Sequence, residues 1–154
     1  MSDPEITLRS VDGDRTAFVP LLLEADESEP IVRAYLNDGD LLELVANGQP
    51  VGVVLLTSPE LAAVEIKNIA IRRENRGGGM GRAAMACIAA HARARGASRL
   101  LVGTADSSGG TIAFYRACGF DDAGRIPGFF DAYPQPVVEH GVQAHDMIRL
   151  EMIL

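Results

Sequence analysis

Gly77, Gly78, Gly79 and Gly81, interrupted by Met80 and bracketed by Arg76 and Arg82, form the stretch of this sequence best suited to chemistry. An apolar run ending in Ile69-Ala70-Ile71 precedes it, and residues at helical spacing follow, so the loop leaves a strand and enters a helix. Glycines permit positive φ and keep side chains away from a ligand. The first amides of a helix have no intrahelical partners and lie at the positive end of its dipole. A pyrophosphate suits such a place, and Arg76 and Arg82 could add charge. The glycines could also do no more than close a tight turn. No Gly-Lys-Ser/Thr follows, which excludes a nucleotide-triphosphate P-loop. Gly79 to Ala84 also fits the dinucleotide fingerprint G-x-G-x-x-A, with Asp106 about 25 residues on. Against that reading, the loop lies mid-chain and only 73 residues follow Gly81, too few for a dinucleotide fold with a substrate domain.

The elements that must position the loop follow from periodicity and turn chemistry. Residues 6–11 suggest a first strand, followed by short helices near 16–25 and 29–37. Runs 41–46 and 51–57 flank Asn47-Gly48, a strong hairpin signal. Residues 64–71 form the next strand, 82–95 a helix ended by Gly96, and 99–104 a strand apolar enough to be covered on both faces. Strand, helix and strand imply a parallel pair with a right-handed crossover. A helix near 111–118 ends at Gly119. A loop rich in Gly, Pro and aromatics spans about 126–141. In the last strand Ile148, Leu150, Met152 and Leu154 alternate with Arg149 and Glu151. The expectation is one α/β domain over 1–154, with a mixed sheet of about seven strands, a splayed parallel pair and about four helices.

Bulk properties narrow the function. A chain of 154 residues with 47% hydrophobic and 23% charged residues suits a single globular domain. A net charge of −7 argues against nucleic acid as partner. No window approaches the ~18 apolar residues of a membrane span, and the acidic Met-Ser-Asp-Pro-Glu start does not resemble a secretory signal. Cys87 and Cys118 lack metal or redox spacing and suit reduced thiols, so a cytoplasmic protein is expected. No metal site is expected.

Arg76-x-x-Gly79-x-Gly81 between a strand and a helix resembles the pyrophosphate loop of the GNAT superfamily of acyl-CoA-dependent N-acetyltransferases. Downstream, Phe114-Tyr115-Arg116-Ala117-Cys118-Gly119-Phe120 resembles that family's FY…GF segment, and the element order fits nearly the whole chain. The resemblance implies acetyl-CoA as co-substrate, lying between the splayed strands. Its pyrophosphate would rest on Arg76, Gly77, Gly78, Gly79, Met80, Gly81 and Arg82, and its pantetheine arm along Ile69, Ala70 and Ile71. Many relatives carry Asn seven residues before the tyrosine. Here that residue is Ser108, which could replace the amide or cap the following helix.

The implied reaction moves an acetyl group to a primary amine of a small molecule, or of a protein. Such an amine must lose a proton before it attacks. Glu65 matches a catalytic glutamate of some relatives, and a carboxylate on a mostly buried strand is costly to ionise. Alternatively Glu65 pairs with Lys67, two residues along on the same strand face. Asn68, expected on the opposite face, could hold substrate or satisfy backbone. Amides near residues 69–71 could stabilise the oxyanion, and Tyr115 would protonate the departing thiolate or else merely pack against Ile112. Phe129, Phe130 and Tyr133 could line an acceptor pocket or cover a sheet edge. A non-catalytic acyl-CoA sensor of the same fold is the alternative, and the terminal strand could pair across a homodimer.

Overall fold

The computed structural model describes residues 3–154; Met1 and Ser2 of the acidic N-terminus lie outside the described residues. Seven strands make the main sheet: β1 (Ile6–Ser10), β2 (Asp40–Ala46), β3 (Gln49–Thr57), β4 (Ala63–Ile71), β5 (Arg99–Ala105), β6 (Asp121–Ile126) and, near the C-terminus, β9 (Met147–Ile153). Their spatial order is β1-β2-β3-β4-β5-β9-β6. Every neighbouring pair is antiparallel except β4 and β5. The connection between that pair carries the long helix α3 (Met80–Ala94).

Local chemistry explains the elements. Asn47 and Gly48 both take positive φ, 53° and 76°, in the two-residue turn joining β2 to β3, as a twisted hairpin requires. The expected helix over 16–25 is instead a 3-10 turn, Thr16–Phe18, and a one-turn α1 (Val19–Leu22) that begins around Pro20. Helix α2 (Glu29–Tyr35) also has a proline in its first turn. Helix α3 begins two residues earlier than expected, so Met80 and Gly81 belong to its first turn.

One face of the sheet packs on α3 and α4 (Gly109–Ala117) through Leu44, Val54, Leu100 and Ile88. The other packs on α1 and α2 through Leu22, Val32, Val53 and Leu55. Ala84 and Ala92 of α3 are fully buried, and such small residues let the helix lie close to the strands. Ile148, Leu150 and Met152 of β9, and Leu154 just beyond it, join the α3 side, as their alternation indicates.

Two expectations need correction. Beyond Gly119 the chain forms the exposed edge strand β6, and the supposedly irregular loop contains a 3-10 turn, Phe129–Ala132, and a small hairpin of β7 (Val138–Glu139) and β8 (Val142–Gln143). Exposure at all six β6 positions erased the apolar alternation that marks a strand. Moreover, β9 is hydrogen-bonded on one side to β5 and on the other to β6. From Met147 to Glu151 the terminal strand is therefore flanked on both sides and offers no open edge with which to pair across a dimer.

Candidate active site

The parallel pair separates partway along its length. Ala63 to Ile66 pair with Arg99 to Val102, and pairing stops there although β4 continues to Ile71 and β5 to Ala105. The change coincides with a bulge. Leu56 of β3 faces Ile66 and Leu55 faces Asn68, which leaves Lys67 without a partner. A bulge bends its strand and increases the local twist, and here it turns β4 away from β5.

The bulge also breaks the alternation of side chains. Ile66, Ile69 and Ile71 contact the α3-side core, whereas Ala70 belongs to the α2 side. Lys67 and Asn68 both address Tyr35: the Lys67 ammonium lies 5.2 Å from its ring centroid, and the Asn68 Nδ2 donates to its hydroxyl at 2.8 Å. The expected opposition of Lys67 and Asn68 is therefore wrong, because strict period-two alternation fails across an inserted residue. No ion pair joins Glu65 to Lys67 among the described residues; the Lys67 charge is directed to the aromatic ring instead.

A cavity of about 460 Å³ occupies the gap, lined by Asn68 and Ile69 of β4, Val102 and Thr104 of β5, and Tyr115 of α4. Phe129, Phe130 and Tyr133 line it as well, which places the aromatic loop at the cavity. Glu65 does not line it; it lies at the paired end, opposite Thr57 and Leu101. A depression of about 720 Å³ bordered by Ala63, Val64, His91 and Arg95 also adjoins that paired end, away from the strand separation.

Tyr115 is held by the end of its helix. The Phe120 amide donates to the Tyr115 carbonyl at 3.1 Å and the Gly119 amide to that of Arg116 at 3.0 Å, a Schellman closure with Gly119 at φ 104°. The Phe120 ring then meets the Tyr115 ring edge-on at 5.4 Å, and Phe114 meets it at 5.5 Å. These two rings are its aromatic partners. Burial, with the nearby Cys118 second, pushes the Tyr115 hydroxyl up to about 12. It is therefore protonated throughout the neutral range.

Ser108 precedes α4 but forms no side-chain cap, since its hydroxyl donates to Glu139 of β7 at 2.7 Å. That bond ties the small hairpin to the start of α4 beneath a cluster of Ala105, Val137 and Ala144. A partner 31 residues away was invisible to local pattern.

The glycine loop lies at the start of α3. Gly77, Gly78 and Gly79 all have positive φ, 83°, 61° and 83°. The Met80 amide returns to the Gly77 carbonyl at 3.2 Å, while the amides of Gly77, Gly78, Gly79, Gly81 and Arg82 have no backbone acceptor among the described residues. A side chain on Gly81 would press on Phe114, its Cβ 3.0 Å from the ring, so this glycine also lets α3 approach α4.

The two arginines are already engaged. Arg76 donates through Nε to the Ile71 carbonyl at 3.0 Å and pairs with Glu24 at 3.1 Å. Arg82 grips Asp3 with two hydrogen bonds, 2.8 and 2.6 Å. The same Asp3 carboxylate lies against Gly79: a Cβ built there would come within 2.5 Å of its Oδ1. An anionic group thus rests at this helix start, and the hydrogen bonds from Arg82 hold the Asp3 carboxyl below its usual range. Asp106, the residue a dinucleotide reading would use, accepts the His145 amide at 3.0 Å instead.

Sequence reasoning missed a polar network spanning the far wall of the cavity. Asp26 accepts hydrogen bonds from Tyr35 at 2.9 Å and from Tyr133 at 3.3 Å. Asn68 links this network to the Leu22 carbonyl at 3.1 Å. The tyrosines of α2 and the late loop stand 98 residues apart in sequence, and the only sequence trace of their meeting is an aromatic in a Gly/Pro-rich segment.

The chain as a whole has counterparts among known proteins. The profile of the acetyltransferase (GNAT) family matches residues 12–120. An uncharacterised N-acetyltransferase, YvbK of Bacillus subtilis, is 33% identical over 135 residues, covering 87% of each chain. A crystal structure of a GNAT family acetyltransferase from Elizabethkingia anophelis with acetyl-CoA bound is 32% identical, with a TM-score of 0.87 over 97% of this chain and 99% of that one. A B. subtilis acetyltransferase in complex with CoA is 30% identical, with a TM-score of 0.86 over 97% and 99% of the two chains. The chain belongs to the GNAT family, and is an acetyl-CoA-dependent N-acetyltransferase.

Proposed function

We propose that this enzyme acetylates a primary amine of a small molecule, in the cavity between β4 and β5. The observation that carries the reading is the cavity itself. At about 460 Å³ it falls within the range of small-molecule sites, and Asp26, Glu27 and Tyr115 all line it. Carboxylates attract a protonated amine, and the aromatic wall suits its carbon skeleton.

Each residue has a role on this reading. The free amides of Gly77, Gly78, Gly79, Gly81 and Arg82, with Met80 closing the turn, seat the diphosphate at the start of α3. Arg76 braces the loop against the Ile71 carbonyl, and Ile69, Ala70 and Ile71 offer the pantetheine arm a strand edge that β5 has left. Ser108 supports that arm indirectly, by fixing the β7–β8 hairpin. Acetyl-CoA, when bound, supplies the activated thioester. Tyr115 holds the proton that the departing sulfur needs. Glu65 does not border the cavity, so it is not placed to take the amine's proton directly.

Purified protein with acetyl-CoA and a panel of small primary amines should release free thiol, while short peptides should not. Turnover confined to peptides would overturn the small-molecule reading. Calorimetry with CoA alone separately tests the seat at the glycine loop.

A further inference from the structure

We propose that the acceptor is a short aliphatic diamine, whose second, protonated amine is held by Asp26 and Asn68 while the first reacts near Tyr115. The inference rests on the reading of the cavity as the acceptor site and names the substrate class that fits it.

Two independent observations support this. The first is an imbalance of charge. Glu24, Asp26, Glu27 and Glu139 line the cavity, against Lys67 as the one lysine or arginine lining it. Glu24 is neutralised by Arg76, and Glu139 accepts the Ser108 hydroxyl. Asp26 receives only neutral donors, the two tyrosine hydroxyls and the Ser28 amide. Lys67 is drawn over the Tyr35 ring. A reacting amine must be uncharged when it attacks, so it cannot answer this excess of negative charge. A second ammonium can.

The second observation is an unmet acceptor. Asn68 lines the cavity with only 5% of its surface exposed. Its Nδ2 is fully used by Leu22 and Tyr35, yet no protein group donates to its buried Oδ1. A buried polar atom left in this state is costly, and an ammonium has three hydrogens to give. Through Tyr35, Asn68 belongs to the same hydrogen-bonded network as Asp26. Phe130 and Tyr133 border the same region with faces that favour a cation. In the reaction one C–N bond forms as the C–S bond breaks; the first amine loses a proton, the sulfur gains one, and the second amine is unchanged.

The test compares 1,4-diaminobutane with butylamine by thiol release, and by calorimetry on the enzyme saturated with CoA. Hydrogen bonds to a charged group predict a kcat/KM at least about tenfold higher for the diamine, expressed mainly in KM, with a matching difference in binding. Asp26→Asn keeps the side chain's shape and should bring the ratio of the two amines close to one. Equal turnover of both amines by the wild type overturns this inference while leaving the transferase reading intact. Tighter diamine binding without thiol release from any amine supports the cation site and removes the small-amine transferase reading. Failure to bind either amine overturns the inference.

Discussion

Replacing Tyr115 by Phe separates catalysis from structure at this site. The ring should stay in place, because its edge-on contacts with Phe114 and Phe120 and the Gly119 closure do not involve the hydroxyl. Burial and Cys118 account for the hydroxyl's raised value, with no hydrogen bond among the causes. Its removal should therefore change stability by no more than about 0.5 kcal/mol, a shift in Tm of roughly 2 °C for a domain of this size. The catalytic effect is bounded by proton affinity. A thiol has a reference value near 8.5, and the tyrosine lies at about 12, so complete transfer to a free thiolate is uphill. Tyr115 then acts mainly by donating a strong hydrogen bond as charge reaches sulfur. General acid catalysis spans about 10²–10⁴-fold; this mismatch places the expected loss in kcat near the lower end, roughly 10–100-fold, with acetyl-CoA affinity within about twofold. Stopped-flow thiol detection and calorimetry measure the two quantities. An unchanged kcat would refute the assignment. A fall in Tm of many degrees would show that the hydroxyl serves the fold instead.

Three further outcomes follow from the same geometry. Gly79→Ala places a side chain at φ +83° and within 2.5 Å of Asp3 Oδ1; backbone strain alone should cost about 1–2 kcal/mol, with CoA affinity reduced about tenfold or more, whereas unchanged affinity by calorimetry would show that the loop does not seat the diphosphate. Asp3→Asn removes an anion held on Gly79 by Arg82, and should tighten CoA binding a few-fold at low salt, an advantage that shrinks as salt screens the exposed pair; weaker binding would mean that Asp3 helps to build the seat. Folded Tyr115 titrates at about 12 against 10.0 unfolded, so its contribution is fully present below pH 10 and is lost as pH rises toward 12, by about 2–3 kcal/mol. Tyr35 and Tyr133 are shifted in the same direction; urea midpoints that do not fall between pH 9 and 11 would contradict the burial of all three.

The parts legible in the sequence were those in which neighbouring residues determine the outcome. Asn47-Gly48 made its hairpin because its backbone preference is local, and Gly77 to Gly79 lead into α3 for the same reason. The FY…GF segment has a local cause too, since Gly119 closes α4 and returns Phe120 onto Tyr115. What escaped were choices among distant partners. Ser108 could have capped its helix, but Glu139 was the acceptor it met. Asp26 carries no motif; its place in the cavity arises only when α2 and the aromatic loop converge on one carboxylate. Strand β6 escaped because every one of its side chains is exposed, so burial imposed no pattern on it.

The bulge at Lys67 is the feature on which the others depend. One inserted residue changes two pairings at the same level of the sheet: β3 shifts register between Leu55 and Leu56, and β5 loses β4 after Ile66. Were β4 regular, residues 67–69 would have continued along β5 to its end at Ala105, their polar backbone groups satisfied by the neighbouring strand and the gap closed. Asn68 would also have alternated away from Lys67 instead of joining it at Tyr35. The same residue therefore opens the cavity and supplies its wall with an amide oriented toward the Asp26 network. Bulges gather beside active sites because they re-aim side chains and end pairing without breaking the sheet; in this chain both effects are needed, the first for the acceptor and the second for the cofactor.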